Sequence, residues 1–490
     1  MTEEQKEQTS NPSRRDFLKT SAVAAASFMI VPRHVLGGKG FRAPSDMLTV
    51  ASVGCGGKGQ SDIAMFARSG KANIAYLCDV DEKQAATTFK NFPNAKRYKD
   101  WREMFDKEYK NFDAVSVSTP DHTHAVVAYN AMQRGKGVYV QKPMTHDLWE
   151  ARTLTAAAKQ FKVVTQMGNQ GSSNDGTRLM SEWYDAGLIG DVHTIYCWTN
   201  RPVWPQGVAW PKTKAEVPAT LEWDLWLGNA PKKDFVENLV PFNWRGWWDY
   251  GTGALGDMGC HLVEAPFRVL DLQYVKDVQA SVGSVYVGEF TKGVFPESCP
   301  PSSHITMTFP KTHKTKGDIT LHWMDGGIEP ERPEELGANE KFGGEEGNGC
   351  LFIGTKGKMY SSTYSDAAHL LPSSRMQEDA VKNAKQRWAR VPDGANGHYK
   401  QWVEGCIAGY GKTELSSSFE KAGPLTEALL MANLAVRGHD LAVKGSNGRN
   451  TYPGQIKLLW DNEAMKVTNF DDVNQYVKRN YREGFELKTV

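Results

Sequence analysis

Short apolar runs alternate with amphipathic segments between residues 47 and 170 of the chain. The runs are rich in Val, Ala and Ile, a composition typical of buried strands, whereas the segments between them place apolar residues at helical spacing. The strand-like runs are residues 47–53, 72–78, 112–118, 137–140 and 163–169, and the helical segments are residues 60–68, 124–134 and 147–161. Strands and helices that alternate in this way predict a parallel, doubly wound sheet.

The pattern changes after residue 170, where short strand-like runs follow one another. A helix is predicted at residues 175–187 and a strongly amphipathic one at residues 423–437. The strand-like runs between them are residues 190–198, 277–288, 303–309, 317–324 and 350–360. Such clustered β runs indicate one large, open and predominantly antiparallel sheet. We therefore predict an α/β protein with two domains, at residues 47–170 and 171–490.

The composition is that of a globular protein. The 490 residues are 40% apolar and 23% charged, and 58 Lys and Arg balance 57 Asp and Glu. This apolar content is enough to offset the entropy of folding, and the balanced charge removes the electrostatic argument for nucleic acid as a partner. Seven dispersed Cys residues without a C-x-x-C pair are poor evidence for a disulfide framework or a zinc site. The composition therefore favours neither a disordered, a fibrous nor a nucleic-acid-binding protein.

Residues 1–46 are typical of an export signal and a linker. The sequence Ser-Arg-Arg-Asp-Phe-Leu-Lys at residues 13–19 precedes an apolar run at residues 20–31. Adjacent arginines before such a run indicate a twin-arginine signal, and the run is too short for a membrane-spanning helix of about 20 residues. The alternative is a basic pair before an amphipathic helix. We expect export to the periplasm, no transmembrane segment elsewhere in the chain, and a cofactor bound before export.

A glycine-rich turn follows the first predicted strand and precedes the first predicted helix. The turn consists of Gly54, Cys55, Gly56, Gly57, Lys58 and Gly59. Its G-x-G-x-x-G spacing, between a strand and a helix, allows a tight turn and a close approach of the backbone to a pyrophosphate. The next strand ends at Asp79, which is placed to accept hydrogen bonds from ribose hydroxyls. Val80 follows, rather than a residue suited to a 2′-phosphate, so the sequence favours NAD over NADP.

Further polar residues stand at the ends of predicted strands, because Thr119, Lys142 and Asn169 each follow one. Ligands of doubly wound sheets bind beyond the carboxyl ends of the strands. We therefore expect one cleft to collect these side chains together with Gly54 and Asp79. In a closed cleft the Lys142 cation would favour an alkoxide-like transition state; a solvated surface lysine is the alternative.

A second glycine-rich loop, at residues 251–259, opens a helix predicted to run to about residue 272. Asp257 and His261 are four residues apart and therefore share one face of that helix. Oxidation of a secondary alcohol requires a base, and histidine titrates near neutral pH. An aspartate at a helix start followed by a histidine is also a common capping arrangement, so the residues alone leave both interpretations open.

Arginine and aromatic residues stand before this loop at Arg245, Trp247 and Tyr250. Aromatic faces can pair with the C–H groups of a sugar, and the alternative is that the rings pack beneath the sheet. Several histidines invite a metal-site interpretation, but a metal site requires three or four converging ligands. We predict no catalytic metal.

The combined motifs resemble a known oxidoreductase family. The glycine turn, Cys-Asp-Val-Asp at residues 78–81, Ser-Thr-Pro-Asp-His-Thr-His at residues 118–124 and Gln-Lys-Pro at residues 141–143 are similar to motifs of the Gfo/Idh/MocA family. The resemblance covers essentially the whole chain after the signal. It implies a Rossmann domain, a C-terminal α/β domain with a large open sheet, a bound nicotinamide cofactor, and sugar or polyol substrates.

The resemblance also implies roles for single residues. Lys142, Asp257 and His261 would be catalytic, whereas Arg245, Trp247 and Tyr250 are candidate substrate contacts from their residue types alone. The cofactor would be bound by Gly54, Cys55, Gly56, Gly57, Gly59, Asp79, Thr119, Pro120, His124, Gln141 and Asn169. The family pattern has Glu-Lys-Pro, so Gln141 removes a negative charge that would tune the pKa of the neighbouring lysine.

Three functions are compatible with these observations. The favoured one is an NAD(P)-dependent dehydrogenase of a sugar or polyol, which we expect to be a homo-oligomer. The second is a glycoside-cleaving enzyme that uses bound NAD⁺ transiently, since oxidation at C3 acidifies the proton on C2 and allows elimination of the glycosidic bond. The third is a non-catalytic sugar-binding protein on the same scaffold.

Overall fold

The computed structural model describes residues 46–344, 346–448 and 450–489. The predicted twin-arginine segment lies outside the described residues. Among those that are described, no helix is both long enough and apolar enough to cross a bilayer.

The first six strands form a parallel sheet in the described part of the chain. They are β1 (Leu48–Val53), β2 (Ala72–Cys78), β3 (Lys96–Tyr98), β4 (Ala114–Val117), β5 (Gly137–Val140) and β6 (Thr165–Met167). Their order is β3-β2-β1-β4-β5-β6, and each neighbouring pair is parallel. The order reverses between β1 and β4, which is the point where ligands of doubly wound sheets bind.

Helices follow most of these strands. They are α1 (Lys58–Arg68), α2 (Glu82–Asn91), α3 (Trp101–Glu108), α4 (His124–Gln133) and α5 (Leu148–Phe161). Helix α5 begins with a capping box, in which the amide of Glu150 donates to Asp147 Oδ1 at 2.8 Å and the amide of Asp147 donates to Glu150 Oε2 at 3.3 Å. In a parallel sheet each helix begins at the edge where the preceding strand ends. The polar residues that precede the helices lie at that edge, together with the strand ends.

A second sheet occupies the rest of the chain. The later strands are β7 (Val192–Trp198), β8 (Asp277–Val282), β9 (Tyr286–Gly288), β10 (Thr291–Lys292), β11 (Ser303–Phe309), β12 (Ile319–Met324), β13 (Gly349–Gly354), β14 (Gly357–Ser361), β15 (Ala368–Leu371), β16 (Val443–Lys444), β17 (Asn450–Thr451), β18 (Leu458–Asp461) and β19 (Lys466–Val467). Nine of them, within the described residues, pair in the order β15-β14-β13-β7-β12-β11-β8-β18-β19. Strands β7 and β12 are parallel, and the other neighbours are antiparallel.

The later helices pack around this sheet. They are α6 (Asp175–Asp185), α7 (Trp223–Leu227), α8 (Gly253–Leu262), α9 (Glu264–Leu270), α10 (Asp379–Lys382), α11 (Gly394–Ala408) and α12 (Phe419–His439). Helix α12 is buried along almost its whole length, and it packs against both α5 and β8. It therefore joins the two sheets through one continuous hydrophobic core.

The predicted fold class is confirmed, and the boundaries of some elements differ. The helix predicted from residue 423 begins at Phe419, because burial of Phe419 and Ala422 outweighs the cost of Pro424 inside the helix. The helix predicted to run to residue 272 is divided at Val263 into α8 and α9. The runs predicted at 277–288 and 350–360 each contain two strands.

Candidate active site

A cleft of about 700 Å³ lies at the carboxyl ends of β1, β2, β4 and β5 and extends to helix α8. At one end it is lined by the glycine turn and Asp79, and at the other by Lys142, Asp257 and His261. The cleft therefore brings together residues that are widely separated in the sequence. It is the place that the parallel sheet predicts for a ligand.

The glycine turn has no room for side chains where it packs. A Cβ on Gly54 would lie 2.5 Å from the carbonyl oxygen of Ser118, and a Cβ on Gly59 would collide with the carbonyl oxygen of Gly54. At Gly57 the backbone has φ +51° and the space beside it is open. The start of α1 is therefore accessible from the cleft, and its free amides are suited to an anion.

Asp79 holds the glycine turn in place. The amides of Cys55 and Gly56 donate to its Oδ2 atom at 2.6 and 3.2 Å, and the amide of Asp81 donates to Oδ1 at 2.9 Å. Burial raises the pKa of Asp79, and these three hydrogen bonds oppose the rise. The side chain also lines the cleft, so its remaining lone pairs can accept hydrogen bonds from a ribose.

Lys142 and Asp257 form an ion pair at the other end of the cleft. The Nζ atom of Lys142 donates to Asp257 Oδ1 at 2.6 Å and to the carbonyl oxygen of Asp257 at 2.8 Å. The Nε atom of Arg245 lies 3.4 Å from the same carboxylate oxygen. Burial alone would raise the pKa of Asp257, but the charges of Lys142 and Arg245 outweigh it and lower the pKa to about 2. Asp257 is therefore ionised at neutral pH.

Asn169 fixes the tautomer of His261. The Nδ2 atom of Asn169 donates to the carbonyl oxygen of Cys260 at 2.7 Å, which leaves its Oδ1 atom as the acceptor 2.9 Å from Nδ1 of His261. Nδ1 of His261 must then carry the proton, and Nε2 keeps its lone pair. Burial and the nearby Lys142 charge lower the pKa of His261 to about 3, so the imidazole is neutral. This geometry provides a neutral acceptor beside a cation.

Comparisons with known proteins identify related families for the segments that build this cleft. Residues 48–169 match the family model described as an oxidoreductase family with an NAD-binding Rossmann fold, and residues 191–285 match the model of its C-terminal alpha/beta domain. The two matched segments fit the Gfo/Idh/MocA oxidoreductase family. Residues 11–28 match the model of a twin-arginine translocation signal, which confirms the predicted export signal.

Individual relatives in the family are distant from this chain. An inositol 2-dehydrogenase of Burkholderia multivorans is 26% identical over 153 residues, which are 31% of this chain and 45% of that protein. A glycosyl hydrolase family 109 protein of Shewanella pealeana is 26% identical over 204 residues, which are 37% of this chain and 44% of that protein. The chain thus spans less than half the length of these relatives.

A solved structure of a levoglucosan dehydrogenase, in complex with NADH and L-sorbose, shares the fold. Its TM-score is 0.53 at 15% identity, and the superposition covers 84% of this chain and 100% of that structure. This likeness shows the fold, and the family model that matches residues 48–169 is described as an NAD-binding Rossmann fold.

Gln141, which departs from the Glu of the family pattern, is explained by a neighbour that the sequence analysis missed. Its Nε2 atom donates to Oδ2 of Asp62 at 2.8 Å, and the hydroxyl of Ser118 donates to the same oxygen at 2.9 Å. Asp62 is completely buried and forms an ion pair with Lys58. A glutamate at position 141 would place a second carboxylate in contact with that of Asp62, and the two like charges would repel. The neutral amide of Gln141 avoids this repulsion and donates a hydrogen bond to Asp62.

Several predicted contact residues lie behind the wall of the cleft. Trp247 and Tyr250 were predicted to contact the substrate, but both are buried in an aromatic cluster with Trp210 and Trp226, and neither lines the cleft, because packing takes up both rings. Arg245 does line the cleft.

Three of the predicted cofactor residues are also turned inward. The thiol of Cys55 is buried and donates to the carbonyl oxygen of Cys78 at 3.4 Å. Both ring nitrogens of His124 lie 2.8 Å from carbonyl oxygens, those of Pro143 and Thr119. Asn169 is completely buried beneath His261. These side chains support the walls of the cleft, whereas Thr119 and Pro120 line it as predicted.

Two further residues complete the site. Asp121 is buried and its Oδ2 atom accepts a hydrogen bond from Thr252 at 2.8 Å, and burial raises the pKa of this carboxyl to about 7. The ring of Tyr364 lies edge-on to the ring of His261, with 4.9 Å between the centroids. No motif or spacing indicated Tyr364, whereas Asp121 belongs to the Ser-Thr-Pro-Asp motif. In the described residues, no group of three or more His, Cys, Asp or Glu side chains is arranged to hold a metal ion.

Proposed function

We propose that this protein is an NAD-dependent dehydrogenase that oxidises a hydroxyl group of a sugar or polyol. The proposal rests on the meeting of Lys142, Asp257 and His261 in the cleft that begins at the glycine turn. It is supported by relatives named inositol 2-dehydrogenase and levoglucosan dehydrogenase. The twin-arginine signal supports action in the periplasm.

The residues of the cleft fit a dinucleotide. Amides from the glycine turn would hold the pyrophosphate, and Asp79 would accept hydrogen bonds from the adenosine ribose. The carboxylate of Asp79 would repel a 2′-phosphate, which favours NAD over NADP. Thr119 and Pro120 line the path from there to Lys142. When bound, NAD⁺ supplies the hydride acceptor.

The protein's own residues then handle the hydroxyl proton. Nε2 of His261 accepts this proton, and Nδ1–H remains bonded to Asn169 throughout. The ammonium of Lys142 donates a hydrogen bond to the substrate oxygen and stabilises the negative charge that develops there. Asp257 orients Lys142 through their 2.6 Å contact, and Arg245 is available for a further substrate hydroxyl.

Purified protein incubated with NAD⁺ and a panel of sugars and polyols tests this function. We expect reduced nicotinamide to form in proportion to the ketone or lactone produced. Lys142→Met and His261→Gln should abolish the reaction and keep NAD⁺ binding, whereas Lys382→Met, at an exposed position outside the cleft, should behave as wild type. Activity retained in both cleft variants would contradict the assignment.

Glycosidic cleavage through transient oxidation is a second candidate, which the similarity to a glycosyl hydrolase family 109 protein favours. The same base and cation would serve, since C3 oxidation acidifies the C2 proton and elimination breaks the bond. Aryl glycosides distinguish the two functions. Aglycone release without net formation of NADH supports cleavage, whereas NADH formed in equal amount supports dehydrogenation. A protein without affinity for NAD would be a binding protein instead.

The assembly and the location are part of the same proposal. We propose a Rossmann domain at residues 47–170, a substrate and oligomerisation domain at residues 171–490, and a homo-oligomer that uses the open face of the nine-stranded sheet. Light scattering tests the assembly. Cell fractionation of wild type and of an Arg14→Lys, Arg15→Lys variant tests periplasmic export, and the variant should stay in the cytoplasm.

A further inference from the structure

A second cavity, of about 250 Å³, lies beside the last turn of α12. None of the residues that line it lines the active-site cleft. Most of its wall is apolar and comes from the segment 282–301 and from the end of α12. Apolar wall residues include Val282, Val294, Phe295, Pro301 and Leu441.

Arg437 is the unusual member of this wall. The centre of its guanidinium lies 3.5 Å from the ring centroid of Tyr476 and 5.2 Å from that of Trp248. Among the described residues, none forms an ion pair with this guanidinium or accepts a hydrogen bond from it. Burial lowers the pKa of Arg437 to about 10, so the group is still charged at neutral pH. Its donors remain free to bind a ligand.

The carboxylates near the cavity are already paired with other cations. Lys292 donates to Asp440 Oδ1 at 2.8 Å, and Nδ1 of His439 lies 2.9 Å from the same oxygen. Asp249, whose charge also acts on Arg437, is held by Lys233 at 2.7 Å. The cavity therefore carries one positive charge that no neighbouring carboxylate balances. An unbalanced charge in a partly buried place costs free energy unless a counter-charge arrives.

We infer that this cavity is a second, non-catalytic binding site for a small organic carboxylate with an apolar body. The planar fork of an arginine matches a carboxylate, and the aromatic rings against Arg437 hold the fork in position. The walls would bury the apolar body, and the volume exceeds the roughly 150 Å³ of a cavity that accepts benzene. An inorganic anion would leave most of the wall without contact.

The site lies directly behind the loop that leads to the catalytic helix. The amide of Cys299, in the cavity wall, donates to the carbonyl oxygen of Gly246 at 2.8 Å. One turn before Arg437, the Nδ2 atom of Asn433 donates to the carbonyl oxygen of Thr252 at 2.9 Å. The cavity wall is therefore hydrogen-bonded to this loop. Because the proposed site is non-catalytic, its ligand is detected by binding alone, without NAD or substrate.

Calorimetric titration of the full chain with benzoate, benzyl alcohol and sulfate tests the inference. We expect saturable binding of benzoate. Benzyl alcohol should bind at least about tenfold more weakly, because it lacks the charged hydrogen bonds to Arg437. Sulfate should also bind at least about tenfold more weakly, because it has no apolar body to bury against the wall. Arg437→Gln should lower the affinity for benzoate by a similar factor. Arg68→Gln, at an exposed arginine outside the cavity, should leave that affinity unchanged.

The ligand series keeps the inference testable if Arg437→Gln fails to fold, which its thermal unfolding would reveal. If the wild type binds benzoate and benzyl alcohol equally well, or does not bind benzoate at all, the inference is overturned. It is also overturned if a folded Arg437→Gln variant binds benzoate as tightly as the wild type. Sulfate that binds as tightly as benzoate would overturn the organic part of the inference.

Discussion

The Nδ1 atom of His261 lies 2.9 Å from the Oδ1 atom of Asn169, and both side chains are buried. Because this contact fixes the tautomer, Asn169→Ala should lower kcat by about 10- to 100-fold, the range seen when an orienting partner is lost. NAD⁺ affinity should change little, since Asn169 does not line the cleft. Steady-state kinetics and NAD⁺ titration measure both effects.

Asn111→Ala is the matched control for this variant, because Asn111 is exposed and lies outside the cleft, where it donates to Glu108 at 3.0 Å. It should keep the wild-type kcat. An equal loss in both variants would show that the effect is one of general stability, and an unchanged kcat in Asn169→Ala would contradict the tautomer argument.

The Lys142–Asp257 ion pair should matter for the chemical step more than for binding. Asp257→Asn removes the charge that orients Lys142, so kcat should fall by about 10- to 100-fold, as expected when an orienting partner is lost. The dissociation constant of NAD⁺ should stay within a few-fold of the wild-type value. A variant with normal kcat and a raised KM would instead show that Asp257 only binds substrate.

The pH profile should reflect the lowered pKa of His261. This pKa is about 3, so the imidazole stays neutral far below the ordinary histidine range. We expect His261 to cause no loss of kcat/KM near pH 6.5. Initial rates of the wild type and of an Asp121→Asn variant, measured after brief exposure to each pH, give the profiles, because the carboxyl of Asp121 also lines the cleft and has a pKa of about 7. An acid limb centred near 6.5 that persists in the Asp121→Asn variant would contradict a neutral, buried His261.

Gln141→Glu should destabilise the protein, because the new carboxylate would meet the buried Asp62. We expect a loss of about 1–3 kcal/mol in the free energy of unfolding. Adding Asp62→Asn should restore part of that loss, which a double-mutant cycle measures. Gln377→Glu, at an exposed position, is the control and should be neutral. If Gln141→Glu is neutral as well, the charge at Asp62 does not explain the departure from the family pattern.

Acid should weaken the fold through buried histidines. Burial lowers the pKa of His398 to about 4, so the folded state binds fewer protons than the unfolded state, and the stabilisation present above pH 6.5 is lost as pH falls toward 4. His398→Gln should therefore reduce the loss of stability between about pH 7 and pH 5 by about 2 kcal/mol. Urea unfolding of both proteins at the two pH values tests this, and equal losses would contradict it.

Local patterns in the sequence predicted the parts of the site that depend on neighbouring residues. Gly54 and Asp79 were found because a turn and a strand end follow from short motifs, and Asp257 and His261 because four-residue spacing places them on one helix face. The Asn169–His261 contact joins residues 92 positions apart and follows only from tertiary packing.

The errors have physical reasons too. Asp62 is a polar residue in an amphipathic helix, a position that is usually exposed, so its burial beside Gln141 had no local sign. Trp247 and Tyr250 could line a cleft or fill a core, and the sequence does not say which side of the chain the cleft occupies. The two large sheets followed from periodicity, whereas strand β18 depends on pairing with β8, and the edge strand β19 on pairing with β18.

The central claim is that a nicotinamide ring binds between the strand ends of the first sheet and helix α8, beside Lys142 and His261. A crystal structure of the protein with NAD⁺ tests it most directly. We expect the pyrophosphate at the glycine turn and the ring at the end of the cleft that holds Nε2 of His261. A dinucleotide bound elsewhere, or a ring outside the reach of a substrate held by Lys142 and His261, would contradict this claim.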